Sequence, residues 1–391
     1  MTPAREPGRG ALYAGVAALA LCAAGAAIDV DQFFRSWLTA FVFWAGIPLG
    51  CLAILMIQHV TGGVWGAVIR RGLEAGARTI PWMALAFLPL VFGMKSLYPW
   101  ARPEVVAADA LLRHKAPYLN VTFFLIRAAF YFAVWWLLAW RLSRMSQEQD
   151  RGGGAGLVRR MVLFSSGGLL AFVLTMTFAS VDWVMSLEPR WVSTIYGPLL
   201  MAGQAVAAFC FAILVTVRVS RARDAEGRDL AAALTPDVLH DLGKLLFAFV
   251  MVWAYFALSQ FLIIWSANLP EEIPWYLRRL EGGWQWVGLA VILLHFGVPF
   301  GLLLMRRVKR SADRLVRVLL LVLVMRVVDT WWMVAPAFGG GTVRLHWMDP
   351  LALIGMGGLF VHLFQRQLAR MPLLPLNDPQ IPAAAGEAAH P

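Results

Sequence analysis

Charge is what this 391-residue chain has least of: only 15% of it is Asp, Glu, Lys or Arg, against 60% hydrophobic residues. Soluble globular domains carry about 25% charged and about 45–50% apolar residues. The deficit excludes an ordinary soluble enzyme, a disordered protein and a small secreted module, and it fits a chain whose main solvent is lipid. Cysteine is also scarce. Cys22, Cys51 and Cys210 stand far apart in apolar stretches, with no CxxC, CxxCH or four-cysteine run. No signature therefore exists for an iron–sulfur cluster, a c-type haem or a zinc knuckle in this chain, and the three thiols read as small packing residues. Walker A, GxSxG, HExxH and dinucleotide-binding patterns are missing too, which removes the obvious hydrolase and kinase chemistries.

What the chain does have is long apolar runs. Ten candidate spans lie near 11–28, 38–60, 80–98, 120–141, 158–181, 195–219, 243–266, 284–305, 315–336 and 347–365. Each must be helical, because lipid offers the backbone no hydrogen-bond partner. The first span reaches a spanning length and is expected to be retained. Its basic start and the small residues at Ala23–Ala27 also suit a cleavable signal.

Counting Lys and Arg by side gives 23 on the side of both termini, 9 on the other, and Arg127 and Arg326 inside spans. This bias predicts cytoplasmic termini and accounts for the formal charge of +11 as a topology signal rather than a nucleic-acid footprint. The cytoplasmic loops, among which the one with Arg70, Arg71 and Arg78 is counted, are basic and glycine- or alanine-rich, as in Arg151–Gly156, and read as generic solvated connectors. The outer loops are rich in Trp, Pro and acidic residues. Trp183, Trp191, Trp275, Trp284, Trp286 and Trp347 gather there, as an interfacial aromatic belt or as part of a rigid docking face. Gly339-Gly340-Gly341 reads as an outer turn.

An ionisable side chain at the centre of a span costs about 2.5–3.5 kcal/mol on insertion scales. Arg326 and Asp329 sit three apart in span nine, so they share a helix face and pair, either to lock packing or to tune a proton-carrying carboxylate. His295 lies mid-span as a hydrogen-bonded core residue or a proton carrier; haem ligation is disfavoured because His362 and His59 lie at poorly matched depths. Arg127 is about 10 Å below the outer end of span four at 1.5 Å per residue. Gln260 lies in the outer third of span seven. Lys95 and Asp182 end outward-going spans and read as snorkelling residues. The polar groups thus point to a pocket open to the outer side, with a thinner cytoplasmic set of Gln58, His59, His362 and Gln365.

The outer loops also carry a resemblance. Asp182-Trp183-Val184-Met185-Ser186-Leu187-Glu188-Pro189-Arg190-Trp191-Val192-Ser193-Thr194-Ile195-Tyr196-Gly197 resembles the signature of ActF, the second large membrane subunit of alternative complex III. His114–Asn120, Asn268–Glu272 and His295–Phe300 agree with it, and the likeness covers roughly residues 30–370. It implies an NrfD-like, polysulfide-reductase-type subunit with ten helices. The chain would divide into an N-terminal tail and first helix (1–32), a first helical bundle (33–181), an outer signature loop (182–194), a second bundle (195–336), and a last helix with a cytoplasmic tail (337–391).

The implied setting is a quinol:cytochrome c oxidoreductase of the bacterial cytoplasmic membrane. Menaquinone or ubiquinone would be its substrate, a sister membrane subunit its neighbour, and iron–sulfur and multihaem cytochrome c subunits its peripheral partners. Quinol binding and proton translocation are both proposed for this subunit. Alongside that stand a structural anchor for the redox subunits and a secondary transporter. Expected proton-pathway or quinol-site residues are His295, Asp329, Arg326, Arg127, Gln260 and His362. Expected in the outer docking or signature loop are His114, Asp182, Glu188, Trp191, Glu271 and Glu272.

Overall fold

The computed structural model describes residues 8–153, 155–222, 225–339 and 341–378. Arg5 and Arg223 of the charge count and Gly340 of the expected turn lie outside them. The chain is an all-α multi-pass membrane protein. Among the described residues there is no strand, and nine helical stretches are long and apolar enough to cross a bilayer.

Helix α1 (Arg9–Gly25) has only 17 residues, about 25 Å at 1.5 Å per residue. It is shorter than the nine spanning stretches and packs alongside the last helix, Met348–Leu368. At one end the Gly8 N–H donates to Gln365 Oε1 at 2.7 Å. Gly15 lies on Gly355 and Gly358 in the middle, and Gly25 against Met348 and Trp347 at the far end. The two helices are therefore antiparallel along their whole length. The buried face of α1 is Gly15, Ala18, Cys22 and Gly25, a stripe of small side chains that lets backbones approach. A Cβ on Gly358 would stand 2.4 Å from the Ala11 carbonyl oxygen and 2.6 Å from Gly15 Cα. Gly358→Leu is accordingly expected to pry α1 away, lowering the thermal midpoint in detergent and opening α1 to hydrogen exchange. Unchanged midpoint and exchange would show the contact to be dispensable.

Helix α2 (Val30–Thr61) starts at an Asp29 cap that accepts from the Gln32 N–H at 2.9 Å. It is the central helix. Helices α3 (Val64–Ala77) and α4 (Ile80–Phe92) follow and together make one crossing. This corrects the expected solvated connector: Arg70 and Arg71 are 2% exposed, because acidic partners inside the protein replace water. Beyond α4 come short outer helices, of which α5 (Ala110–Lys115) approaches the signature loop. Helices α6 (Val121–Asp150) and α7 (Ala155–Trp183) complete the group that packs around α2, α3 and α4.

The second group comprises α8 (Tyr196–Ser220), α9 (Pro236–Ala267), α11 (Trp284–Leu304) and α12 (Ala312–Val334), with the short outer helix α10 (Pro274–Leu280) between α9 and α11. Helices α2 and α8 join the groups through a Gly-xxx-Gly face. A Cβ on Gly50 would stand 2.3 Å from the Gln204 carbonyl oxygen, and one on Gly46 would meet the Gln204 side chain. Helix α13 (Met348–Leu368) flanks α2 together with α1.

Helix α11 is not regular: Val291–Gly297 is a π-helical turn. Pro299 stands two residues after it. It has no N–H for the His295 carbonyl, and its ring crowds that oxygen, so the hydrogen-bond ladder widens. The widened turn carries His295.

Candidate functional site

Four helices of the second group converge on one buried cluster. Arg326 and Asp329, both 3% exposed, are paired through Arg326 Nη1 and the Asp329 carboxylate. The Arg326 guanidinium fits because α8 has a glycine opposite it; a Cβ on Gly203 would stand 2.4 Å from Arg326 Cζ. Trp253 of α9 lies beside the Asp329 carboxylate. Its ring also meets His295 edge-on, with centroids 4.4 Å apart. His295 is fully buried and faces the Arg326 charge; the Val322 backbone is the one hydrogen-bonding group beside its ring, which leaves at least one ring nitrogen without a partner. Buried polar atoms are nearly always satisfied. An unsatisfied imidazole beside an ion pair is therefore a group available to a proton or to a hydrogen-bonding molecule.

The structure thus brings together His295, Asp329 and Arg326, and adds Trp253 and Gly203, which sequence reasoning missed. Arg127, Gln260 and His362 lie elsewhere. His362 is half-buried on α13, outside this cluster.

Arg127 belongs to a cluster in the first group. Its Nε and Nη2 donate to the two Asp182 oxygens, both at 2.8 Å. The Tyr131 hydroxyl donates to Asp182 at 2.8 Å, and Arg127 Nη1 donates to the Tyr118 carbonyl at 3.0 Å. The guanidinium also stacks on Tyr118 and Phe123, with centroids 3.9 and 4.3 Å away. Asp182 is fully buried, so the snorkelling interpretation does not hold. A bidentate arginine and a tyrosine give its carboxylate a better partner than interfacial water.

The rest of the signature loop is a clasp between the helical groups. Glu188 accepts from Arg278 at 2.6 Å and from Arg279 at 3.2 Å. Arg279 is 1% exposed. It also donates to the carbonyls of Trp275, Trp332 and Met333, and it stacks on Trp275 at 3.6 Å. Burial pulls its pKa down and the Glu188 carboxylate opposes that pull. Trp191 stacks on Trp275 at 4.7 Å and 14°.

Gln260 accepts from Ser193 at 3.2 Å and donates to the Tyr276 hydroxyl at 3.4 Å, which makes it part of the clasp. Burial pushes Tyr276 up to about 12, so it stays neutral at ordinary pH. From α5, Lys115 donates to the Pro189 carbonyl at 2.7 Å. Asp109 accepts from Arg190, which pulls its carboxyl below the usual range.

His114 and Glu271 are exposed and Glu272 is half-buried, at the outer surface rather than in the clasp. The aromatic-belt reading needs the same division. Trp183, Trp191, Trp275 and Trp284 are buried packing residues, and only Trp286 and Trp347 of that set are exposed.

At the end carrying the termini the structure holds a dense cluster where the sequence promised a thin one. Glu74 is fully buried and accepts from Arg70 Nε at 2.9 Å and Arg71 Nη1 at 2.8 Å. Arg71 also reaches Ser146 at 2.9 Å and Asp150 at 2.5 Å, and Arg78 reaches Ser143 at 3.0 Å. His59 Nδ1 meets Ser165 Oγ at 3.0 Å nearby. The chain beyond α13 folds back over this cluster. Asp378 pairs with Arg70 at 2.9 Å, and Asn377 donates to the carbonyls of Gln149 and Asp150. The available signal was Glu74 standing four and three residues after two arginines on a helix.

Among the described residues no group of His, Cys, Asp and Glu is arranged to hold a metal ion. Compared with known proteins, the sequence matches no protein-family model, and no curated protein is significantly similar to it.

Proposed function

We propose that this chain is a membrane subunit of a respiratory quinol:cytochrome c oxidoreductase of the alternative complex III type, and that its second helical group handles protons. The observation that carries the reading is the convergence of His295, Trp253, Asp329 and Arg326 in one buried cluster. The resemblance of the signature loop supplies the setting. Quinol oxidation releases two electrons and two protons. With no metal signature here, the electrons leave through the iron–sulfur and cytochrome partners. His295 offers at least one unpartnered ring nitrogen to receive and pass a proton. Asp329 is the acceptor one helix away, and Arg326 holds its charge in place. Menaquinone or ubiquinone would meet an imidazole and a flat indole at this site, groups that suit a quinol hydroxyl and ring. The peripheral subunits would seat on the outer face, where His114, Glu271 and Trp286 are exposed.

A structural-anchor reading has one observation in its favour: Arg326 and Asp329 neutralise each other, as a packing pair does. Two variants of the intact complex separate the readings. Asp329→Asn should leave the subunits co-purifying but cut quinol-driven cytochrome c reduction severalfold. Arg326→Met with Asp329→Leu replaces the pair by apolar groups, a swap that packing alone tolerates; under the proton reading it still loses turnover. Normal turnover and normal proton release in both variants would leave only the anchor.

A further inference from the structure

At the signature-loop end, a cleft of about 610 Å³ opens between the start of α2, the start of α11, the end of α12 and the segment before α13. It shares no lining residue with the His295 cluster. Its walls are aromatic on one side, where Trp284 and Trp331 pack at 4.7 Å and Phe338 adjoins them. Of its two acidic groups, Asp349 is fully engaged, while the exposed Asp29 uses one oxygen as a helix cap. Asp349 accepts from Ser36 at 2.5 Å, Gln32 at 3.3 Å and the His346 N–H at 2.9 Å, and Asp29 caps α2.

Its two arginines are not committed. Neither Arg35 nor Arg344 has a carboxylate partner among the described residues. Arg35 lies over the Phe338 ring at 5.4 Å, with its Nε buried and without a hydrogen-bond partner. The buried unpartnered polar atom of the cleft is thus a guanidinium N–H of Arg35, with the exposed Arg344 on the same lining, and an occupant that engages them must bring acceptor oxygens. Planar donor forks of this kind match the oxygens of a phosphate. Asp29 lies at the start of a membrane-crossing helix and Trp284 at the start of another. This is the level of lipid headgroups, where tryptophan side chains also favour the interface.

We propose that this cleft is a phosphate-binding site, with Arg35 and Arg344 as its ligands and the aromatic wall placed to accept the glycerol and first methylenes of an amphiphile. The phosphate would come from a phospholipid headgroup or from free phosphate.

The test uses the full-length protein, purified and delipidated in detergent. It is titrated separately with short-chain phosphatidylglycerol, the matching diacylglycerol and inorganic phosphate, read by native mass spectrometry and by the thermal midpoint. A phospholipid source predicts that phosphatidylglycerol binds while diacylglycerol and inorganic phosphate do not. Equal binding of inorganic phosphate would instead identify a free-anion site. In either case Arg35→Gln with Arg344→Gln should weaken the bound species at least fivefold, and Arg35→Lys with Arg344→Lys should keep part of the affinity. Because neither arginine serves a carboxylate, the Gln pair should keep the wild-type midpoint without ligand. Undiminished binding in the Gln pair, or diacylglycerol binding as well as phosphatidylglycerol, would overturn the proposal. So would no phosphate-bearing ligand binding the wild-type protein.

Discussion

Arg127→Ala is expected to destabilise the first helical group by about 3–5 kcal/mol, the usual cost of removing one partner of a buried pair. The size follows from what is left behind. Asp182 has no exposed surface, and Arg127 provides two of the three side-chain donors that it receives. The neutral hydroxyls of Tyr131 and Tyr118 would then be left facing a carboxylate that burial makes costly to keep ionised. The stacking of the guanidinium on Tyr118 and Phe123 is lost as well. Reversible unfolding in mixed micelles measures the effect. A loss below about 1 kcal/mol would place the pair in the class of exposed ion pairs. Arg127→Met with Asp182→Leu should recover most of the stability, because it removes both charges and keeps the volume.

Glu74→Ala has the second large effect, about 3 kcal/mol, because it takes the shared carboxylate from two buried arginines. Each arginine keeps one other acidic partner, Asp150 for Arg71 and Asp378 for Arg70, so the expected loss lies at the low end of the buried-pair range. Excess positive charge beneath the tail should strengthen its hold through Asp378. Hydrogen exchange is therefore expected to rise in α3 while protection at 371–378 persists. A stability change within about 0.5 kcal/mol, typical of a surface site, would show that the cluster is solvated rather than buried.

Both predictions concern groups that the sequence placed differently. Arg70, Arg71 and Arg78 looked like ordinary basic loop residues, because a charge count along the chain does not reveal a carboxylate arriving from another helix. Asp150 is 79 residues from Arg71, and Asp378 is 308 from Arg70. Asp182 looked like a snorkelling residue for the same reason, with Arg127 standing 55 residues earlier. By contrast the Arg326–Asp329 pair was legible, because three residues on one helix already bring two side chains together. The joining of His295 to that pair was not. It depends on a π turn set by Pro299, on the bridging ring of Trp253, and on the missing side chain at Gly203.

The sequence by itself determined that the chain is helical and crosses a membrane repeatedly, since lipid leaves the backbone no alternative and apolar runs mark the crossings directly. It also determined which ionisable groups would be costly and so worth following. Only the tertiary structure decided how those groups were paired off: Arg127 with Asp182, Glu188 with two arginines of a distant outer helix, Glu74 beneath the returning tail, and His295 beside the Val322 backbone with at least one nitrogen left over. The reason is physical. A crossing is a property of twenty or so neighbouring residues, whereas neutralising a buried charge depends on which helix packs beside it.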